Sequence, residues 1–200
     1  MVKVNPLGLA SSVTLLMLAV AKESPWWELN IGGLAELKLS PFKVSFIAMG
    51  SNIAPPIVDY LTLGAWLMIL ASVALTFIGS FSDKPWSKSL LSFSLSKILG
   101  ELLAVLSIPL LLYLIMGPLF NALLPFISGG GLASMEVTER SIPLLAGEGL
   151  VKLSITYMGR GAALTIPIEA KATPHLAVAI AAAALSIAAR LYQTRLVKRS

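Results

Sequence analysis

Two long apolar runs, at residues 56–81 and 98–127, constrain this chain more than any other feature. A helix needs about 20 consecutive apolar residues to cross the hydrocarbon core of a bilayer, and both runs exceed that length. The composition agrees, since 56% of the residues are hydrophobic and only 12% are charged. Such a composition is too apolar for an ordinary soluble domain. The sequence therefore predicts an integral membrane protein.

Two weaker apolar segments complete a predicted set of four transmembrane helices. We expect helix 1 within residues 1–22 and helix 4 at 175–192, with the two long runs as helices 2 and 3. Helix 4 is rich in alanine and only marginally hydrophobic, which predicts that it packs among other helices. The first segment also fits a secretory signal, because Ala19-Val20-Ala21 forms an A-x-A cleavage pattern. Retention and cleavage of that segment are both compatible with the pattern.

Basic residues cluster near the ends of the predicted helices on one side of the membrane. Eight of the fifteen basic residues lie on that side, six of them in segments 82–97 and 193–200. Because cytoplasmic segments are enriched in Lys and Arg, we expect 82–97 to be a cytoplasmic loop and 193–200 a basic cytoplasmic tail. Both termini then lie in the cytoplasm, and segments 23–55 and 128–174 lie outside. The predicted location is the plasma membrane, with the chain as a multi-pass protein.

Both predicted outer segments alternate apolar and polar residues, as in residues 35–39, 42–46, 151–157 and 164–169. A period of two is typical of half-buried β-strands. Gly159-Arg160-Gly161 predicts a hairpin turn, and Pro167 predicts an edge position for the last strand, since proline donates no ladder hydrogen bond. Unpaired backbone groups are not tolerated in hydrocarbon, and isolated hairpins are marginally stable. We therefore expect one extracytoplasmic sheet of about four to six strands, formed by both segments.

The two outer segments also contain similar strings, GGLAELKLS from Gly32 and GEGLVKLSITYMG from Gly147. They occupy matching places in a helix–strands–helix unit that occurs twice. A tandem duplication and coincidental β-patterning both account for this similarity.

Four ionisable residues fall inside or beside the predicted helices and form two possible polar pairs. Asp59 and His175 lie near the outer ends of helices 2 and 4, where they form a proton-sensitive contact or are unrelated residues at a water boundary. Glu101 and Arg190 are predicted at equal depth near the cytoplasmic side, as an ion pair that fixes helix register or as part of an ion pathway. No charged residue falls at a predicted helix centre, which argues against an ion-coupled transporter in a single chain.

Small residues and prolines mark the other helix features. Small-xxx-small spacing in helix 4 predicts helix packing through Ala177, Ala179, Ala181 and Ala183. Pro109, Gly117, Pro118 and Pro125 interrupt helix 3, which predicts a kink or, as the alternative, a discontinuous helix that builds a binding site.

Three tryptophans are predicted to lie at the membrane–water interface. Trp26 and Trp27 follow helix 1 on the outer side, and Trp86 lies among lysines on the inner side. The segment after Trp86 alternates serines with apolar residues, and we expect it to lie on the membrane surface as a short amphipathic piece.

The remaining chemistry is sparse. The chain has no cysteine and one histidine, which leaves no basis for a metal site, and we expect no cofactor. Gly129-Gly130-Gly131 lacks the strand and the Gly-Lys-Ser/Thr sequence of a phosphate-binding loop. No convergent catalytic set is present, so we expect no enzymatic activity, and the basic tail is too short for nucleic-acid binding. One glutamine, four asparagines and no cysteine fit a thermophile.

Four transmembrane helices with an extracytoplasmic sheet from the two outer loops resemble the claudin-like layout. The resemblance covers layout only, because the claudin Gly-Leu-Trp motif and cysteine pair are absent from this sequence. The functional hypothesis is a non-enzymatic membrane protein that acts in assembly, as an accessory subunit of a membrane complex or a self-associating envelope component. Its partners are then the lipid bilayer and other membrane subunits or copies of itself. A small oligomeric transporter or channel is the alternative, and a lipid-modifying enzyme ranks last.

Overall fold

The computed structural model describes residues 4–127, 133–157 and 160–198, with side chains except at 116–136 and 157–160. Within these residues the chain forms four helices and one sheet. The helices are α1 (Pro6–Val20), α2 (Ile57–Ser80), α3 (Pro85–Ile127) and α4 (Pro174–Lys198). They form a ring of neighbours in which α1 packs on α2, α2 on α3, α3 on α4 and α4 on α1.

Three of the helices described by the structure are long and apolar enough to cross a membrane. These are α2, the Pro85–Ile115 part of α3, and α4. Helix α1 is apolar but has only 15 residues, and it therefore spans about 22 Å. Its start is fixed by Asn5, whose side chain accepts a hydrogen bond from the Gly8 amide, and by Pro6 in the first turn.

Helix α3 differs from the prediction because it begins at Pro85 rather than at residue 98. It runs for 43 residues, about 65 Å, so most of the predicted cytoplasmic loop 82–97 is helix. The serines of this segment bond back to carbonyls of their own helix, as Ser92 does to Lys88 at 2.8 Å. Leu91 is buried and lies where any side chain at Gly79 of α2 would have to fit. The segment is therefore packed in the bundle, and the prediction of a separate surface piece was wrong.

Helix α4 also extends further than predicted. It continues to Lys198 instead of ending at residue 192, so the predicted tail is helical over the part that the structure describes.

The strands are β1 (Trp27–Ile31), β2 (Ala35–Ser40), β3 (Lys43–Ala48), β4 (Ser51–Asn52), β5 (Ala133–Ser141), β6 (Gly147–Tyr157) and β7 (Arg160–Ala172). They form one sheet of seven strands in the order β4-β3-β2-β1-β7-β6-β5. All neighbouring pairs are antiparallel. Both predicted outer segments thus contribute to one sheet, which is joined where β1 pairs with β7 from Trp27↔Ala172 to Ile31↔Ile168.

Strand β7 is central, so the edge position predicted from Pro167 was wrong. The Pro167 carbonyl accepts a hydrogen bond from the Gly32 amide at 2.7 Å. The N–H and C=O of one strand residue point to the same side, so the missing N–H of Pro167 faces the turn at Gly32. Strand β1 has already ended there, and no ladder bond is lost. Part of the predicted turn after β6, at Gly159, lies outside the described residues.

The sheet does not have the symmetry of a tandem repeat. The two similar strings lie in β2 and β6, and neither of these is an edge strand. Strand β2 follows the central β1, whereas β6 follows the edge strand β5. In a tandem repeat, a translation across the sheet would place β1 on β5 and β2 on β6 with the same strand directions. Strands β2 and β6 run in opposite directions, so this translation does not superpose them. The similar strings therefore share a strand pattern without equivalent positions.

Two apolar cores hold the molecule together. One lies inside the helix ring and includes Leu15, Ile69, Ile98 and Ala179. The other lies on one face of the sheet, around Trp27, Leu39, Val151 and Ile168, where Ile108 and Leu112 of α3 cover it. Helix α3 is thus common to both cores and fixes the sheet to one end of the bundle.

Candidate functional site

A charged residue interrupts the buried face of α3. Ser87, Leu91, Ser94, Ile98 and Val105 are buried at alternating spacings of four and three residues, with Glu101 in the gap of the series. This spacing is typical of a helix face that packs along a neighbouring helix.

The side of α3 that bears Glu101 is the side that faces α2. Ser94 donates a hydrogen bond to the Ser72 carbonyl of α2 at 3.0 Å. Glu101 follows Ser94 by seven residues, or two turns, and therefore lies on the same side. Its Oε2 atom is buried and has no hydrogen-bond partner in the part of the chain that the structure describes. A carboxylate in such a place is costly unless a cation or a donor meets it.

The predicted Glu101–Arg190 ion pair does not form. The Arg190 guanidinium instead donates to the Ser92 hydroxyl at 2.8 Å. Ser92 precedes Glu101 by nine residues, a distance of about 13 Å along α3. The prediction failed because α3 begins at Pro85, which places Glu101 about 24 Å into the helix instead of near its start.

Lys97 lies one turn before Glu101 and was predicted to belong to a loop. Its ammonium lies 5.1 Å from the centroid of the Phe93 ring, on the preceding turn. The three ion pairs found among the described residues include neither Lys97 nor Glu101. The first half of α3 therefore carries a cation and an anion one turn apart, which act on each other electrostatically without forming an ion pair.

The surface of α3 beside Lys97 and Glu101 is exposed. Gly100 and Ala104 are exposed, and a Cβ atom at Gly100 would meet no atom within 4 Å. Leu103 is 66% exposed on the same stretch. Small exposed residues next to two partly buried charges distinguish this part of α3 from a uniformly apolar lipid-facing helix.

The four alanines predicted for helix packing divide into two faces of α4. Ala179 and Ala183 are buried with Ala182, and this face continues to Ser186, which shares a 2.8 Å hydrogen bond with Ser11 of α1. Ala177 and Ala181 are exposed on the opposite face, together with Ala184. Helix α4 thus has one small-residue face inside the bundle and a second on its surface.

Asp59 and His175 form no ion pair or hydrogen bond with each other in the described structure. Asp59 lines an open cavity of about 220 Å³ where α1 ends and α2 begins, with Lys22 and Trp66. His175 lies in the first turn of α4. The two residues share a level near the sheet, but the predicted contact between them is not formed.

The rim of this cavity is held by polar contacts. The Lys22 ammonium lies 5.0 Å from the Trp66 ring centroid, and the Trp66 indole N–H donates to the Ala19 carbonyl at 2.9 Å. Lys43 and Glu23 form an ion pair that ties β3 to the end of α1. The hydrogen bond from Lys43 lowers the pKa of the Glu23 carboxyl below its ordinary value.

Two of the three tryptophans predicted at the interface are buried. Trp26 lies in the helix core, edge-on to Phe42 with ring centroids 5.8 Å apart. Trp27 lies in the sheet core and donates to the Leu145 carbonyl at 2.9 Å. The prediction that both lie at the membrane–water interface was wrong. Trp27 begins β1 and Trp26 directly precedes it, and each side chain packs in one of the two apolar cores. Trp86 is 46% exposed at the start of α3.

The predicted interruptions of α3 do not break it, since the helix is continuous from Pro85 to Ile127. Pro109 is buried beside the sheet core. The side chains of Pro118 and Pro125 and the backbone of Gly130 lie outside the described residues.

A buried polar network at the opposite end of the bundle was missed from the sequence. The Asn5 amide donates to the Ala189 carbonyl and to the Gln193 side chain, both at 2.9 Å. The Gln193 amide donates to the Ser82 carbonyl and to the Ser87 hydroxyl. The Asn5 backbone N–H bonds to the Ser80 carbonyl at 2.8 Å. One network thus joins the ends of all four helices.

The described residues contain no group of three or more His, Cys, Asp or Glu side chains that could hold a metal ion. No protein-family model, curated protein or solved structure matches this chain. The functional interpretation therefore rests on the residues themselves, above all on the open face of α4 and the two charges of α3.

Proposed function

We propose that this chain is a non-enzymatic integral membrane protein that acts in assembly, either in a larger membrane complex or with copies of itself. In this proposal the helix ring spans the plasma membrane with both termini in the cytoplasm. The seven-stranded sheet lies on the outer side. Three helices long enough to cross a bilayer support this arrangement, as does a sheet whose polar face carries residues such as Glu28, Lys38 and Lys171.

The internal packing of the bundle has the features expected of helices associated in a membrane. Serines bond across helix pairs, as between Ser11 and Ser186 and from Ser94 to Ser72. Small residues and interhelical hydrogen bonds replace the hydrophobic effect as the basis of helix association in lipid.

The second small-residue face of α4 is the observation that carries the proposal. Its inner counterpart, with Ala179 and Ala183, brings α4 close to its neighbours in the bundle. Ala177, Ala181 and Ala184 offer the same kind of surface outward. A helix that faces only lipid has no need of small residues, whereas a helix that receives another helix does.

Gentle purification followed by mass measurement tests this function. The chain is extracted in a mild detergent or in native nanodiscs, and everything that co-purifies with it is identified. We expect a stable complex, and we expect Ala181→Leu to weaken it. Ala71→Leu, the same change on an exposed surface of α2, is the matched control and should leave the complex intact. A chain that is monomeric throughout would refute the proposal.

Glu101 favours a transporter or channel as the second candidate function. An ion-coupled transporter needs a charged residue well inside a helix, and Glu101 is such a residue once α3 begins at Pro85. A carboxyl group within a membrane span is a common element of ion pathways. Flux of protons or small cations into liposomes that contain the purified chain, abolished by Glu101→Gln, would establish this function. Liposomes with wild-type chain that remain as tight as empty ones would exclude it.

A further inference from the structure

We propose that the cavity between α3 and the end of β5 binds the phosphate group of an anionic membrane lipid, with the Arg140 guanidinium as its principal contact. This inference rests on the part of the proposed function that puts the helix ring in the membrane and the sheet on the outer side. It does not depend on assembly, because every residue it uses belongs to one chain.

The cavity has the size and the donors of an anion site. It has a volume of about 430 Å³, and its described lining is Tyr113 and Leu114 of α3 with Arg140, Ser141 and Ile142 at the end of β5. Small-ligand sites have volumes of about 300–1,000 Å³. The arginine, tyrosine and serine side chains supply N–H and O–H donors, and no acidic side chain belongs to the described lining. The cavity therefore offers one positive charge and several donors to a ligand.

A bulge in β5 puts Arg140 on the face of the sheet that packs against α3. The register of β5 on β6 shifts between Val137 and Glu139. After this bulge, Glu139 lies opposite Lys152 and forms an ion pair with it on the polar face. Arg140 lies opposite Val151, which is buried in the sheet core. Bulges re-aim side chains in this way next to functional sites. A cation thus lies at the edge of an otherwise apolar face.

The Arg140 guanidinium is free to bind a ligand. It is exposed and forms no ion pair or hydrogen bond with any residue that the structure describes. The neighbouring carboxylate, Glu139, is on the opposite face with Lys152. A guanidinium group binds two phosphate oxygens at once through parallel N–H donors, which a point charge cannot do. Phosphate is therefore the anion that this cavity fits best.

The cavity lies at the level where the helix ring ends. Ser94 of α3 donates to the Ser72 carbonyl of α2, and the two helices run antiparallel. Extended along both helices, this register puts Ile57, the first residue of α2, level with about residue 110 of α3. Tyr113 is thus less than one turn beyond the end of the bundle, and tyrosine is enriched at the membrane–water interface. In the proposed arrangement this is the depth of the lipid headgroups.

Exposed leucines connect the cavity to the hydrocarbon core. Leu103, Leu110 and Leu114 are exposed and recur at helical spacing, so they lie on one face of α3. Leu114 lines the cavity, and Leu103 lies about 16 Å deeper along the helix. A lipid whose phosphate contacts Arg140 can extend an acyl chain along this face. The leucine face therefore favours a lipid over a free phosphate ion, which would use the cavity alone.

Native mass spectrometry of the full chain with added lipid tests the site. The probes are phosphatidylglycerol, whose phosphodiester leaves it a net negative charge, and phosphatidylcholine, whose choline group cancels that charge. At equal concentrations, the wild type should retain phosphatidylglycerol over phosphatidylcholine by about tenfold, the effect of one hydrogen bond between charged groups. Arg140→Gln should lose this preference, and Arg140→Lys should keep part of it. Lys171→Gln removes the same charge from the polar face of the sheet and should bind lipid as the wild type does.

A second variant guards against loss of the fold. Tyr113→Phe removes one donor from the cavity and keeps the ring, so it should reduce the preference by a smaller factor than Arg140→Gln does. Circular dichroism should show the same helix and strand content in every variant, because the guanidinium of Arg140 supports no other described side chain.

Glycerol phosphate, the headgroup without acyl chains, separates a lipid from a small anion. It should not displace phosphatidylglycerol at equal concentration, and displacement would overturn the lipid as the ligand. Equal retention of both lipids by the wild type, or an unchanged preference in Arg140→Gln, would overturn the site. Each of these results leaves assembly standing. A wild-type chain that is monomeric throughout and still prefers phosphatidylglycerol would overturn assembly and support the site.

Discussion

Replacement of Gln193 by leucine should destabilise the helix bundle far more than its position near the end of α4 suggests. Gln193 is fully buried and takes part in three hydrogen bonds, accepting from Asn5 and donating to Ser82 and Ser87. Leucine keeps much of the volume but offers no polar atom. Each lost bond costs about 0.5–1.5 kcal/mol net, so Gln193→Leu should lower the free energy of unfolding by about 2–4 kcal/mol.

Unfolding by SDS in mixed micelles, followed by tryptophan fluorescence and circular dichroism, measures this loss. Thr194→Val is the matched control on the same helix, because among the described residues the Thr194 hydroxyl bonds to its own helix, at the Arg190 carbonyl. That change should cost less than about 0.5 kcal/mol. A double-mutant cycle with Asn5→Ala should show a coupling of about 0.5–3 kcal/mol, since the two side chains are bonded directly. A Gln193→Leu variant as stable as Thr194→Val would refute the role of this network.

Two further predictions concern helix packing and pH. Gly8→Ala should destabilise the bundle by about 1–3 kcal/mol, because the new Cβ atom would lie 2.1 Å from the Ser80 hydroxyl oxygen. Gly64→Ala is the control, since its Cβ atom would lie in open space, and it should cause no loss of stability in the same SDS titration. The Glu23 carboxyl should titrate below its ordinary pKa of 4.5 in an NMR pH titration, and Lys43→Met should bring that pKa back up. Because the folded pKa is lowered, the stabilisation from this pair is present above the unfolded pKa and is lost as the pH falls through the folded one. The same Glu23 pKa in the wild type and in the Lys43→Met variant would contradict this account.

The strands could be predicted from the sequence because half-buried strands leave a local pattern. Residues 35–39 and 151–157 alternate apolar and polar side chains, and they lie in β2 and β6. Strand β1 has the same pattern, with Trp27, Leu29 and Ile31 on its apolar side. It was missed because adjacent tryptophans after a helix also fit an interfacial position.

The start of α3 could not be predicted from hydropathy because serine counts as polar. Ser87 and Ser94 are nevertheless buried, since each hydroxyl bonds to a backbone carbonyl. This one misplacement also produced the errors at the candidate site. With α3 starting at residue 98, Glu101 was matched to Arg190, and Lys97 was assigned to a loop.

The polar network could not be predicted because its partners are far apart in the chain. Asn5 and Gln193 are separated by 188 residues, and no local pattern links them. The low glutamine content, a single residue, fits a thermophile, which stays a prediction, but it gives no sign of a buried network. Gln193 takes part in the network because the fold brings its partners close to it, and neither helix propensity nor periodicity indicates this.

The proposed function depends on the claim that the sheet lies on the outer side of the plasma membrane. Labelling of introduced cysteines tests this claim directly. The chain has no cysteine, so Thr165→Cys on β7 and Lys198→Cys at the end of α4 each carry one thiol. A membrane-impermeant thiol reagent applied to intact cells should label Thr165→Cys at once and Lys198→Cys only after lysis. Labelling of both variants in intact cells, or of Lys198→Cys alone, would contradict the account.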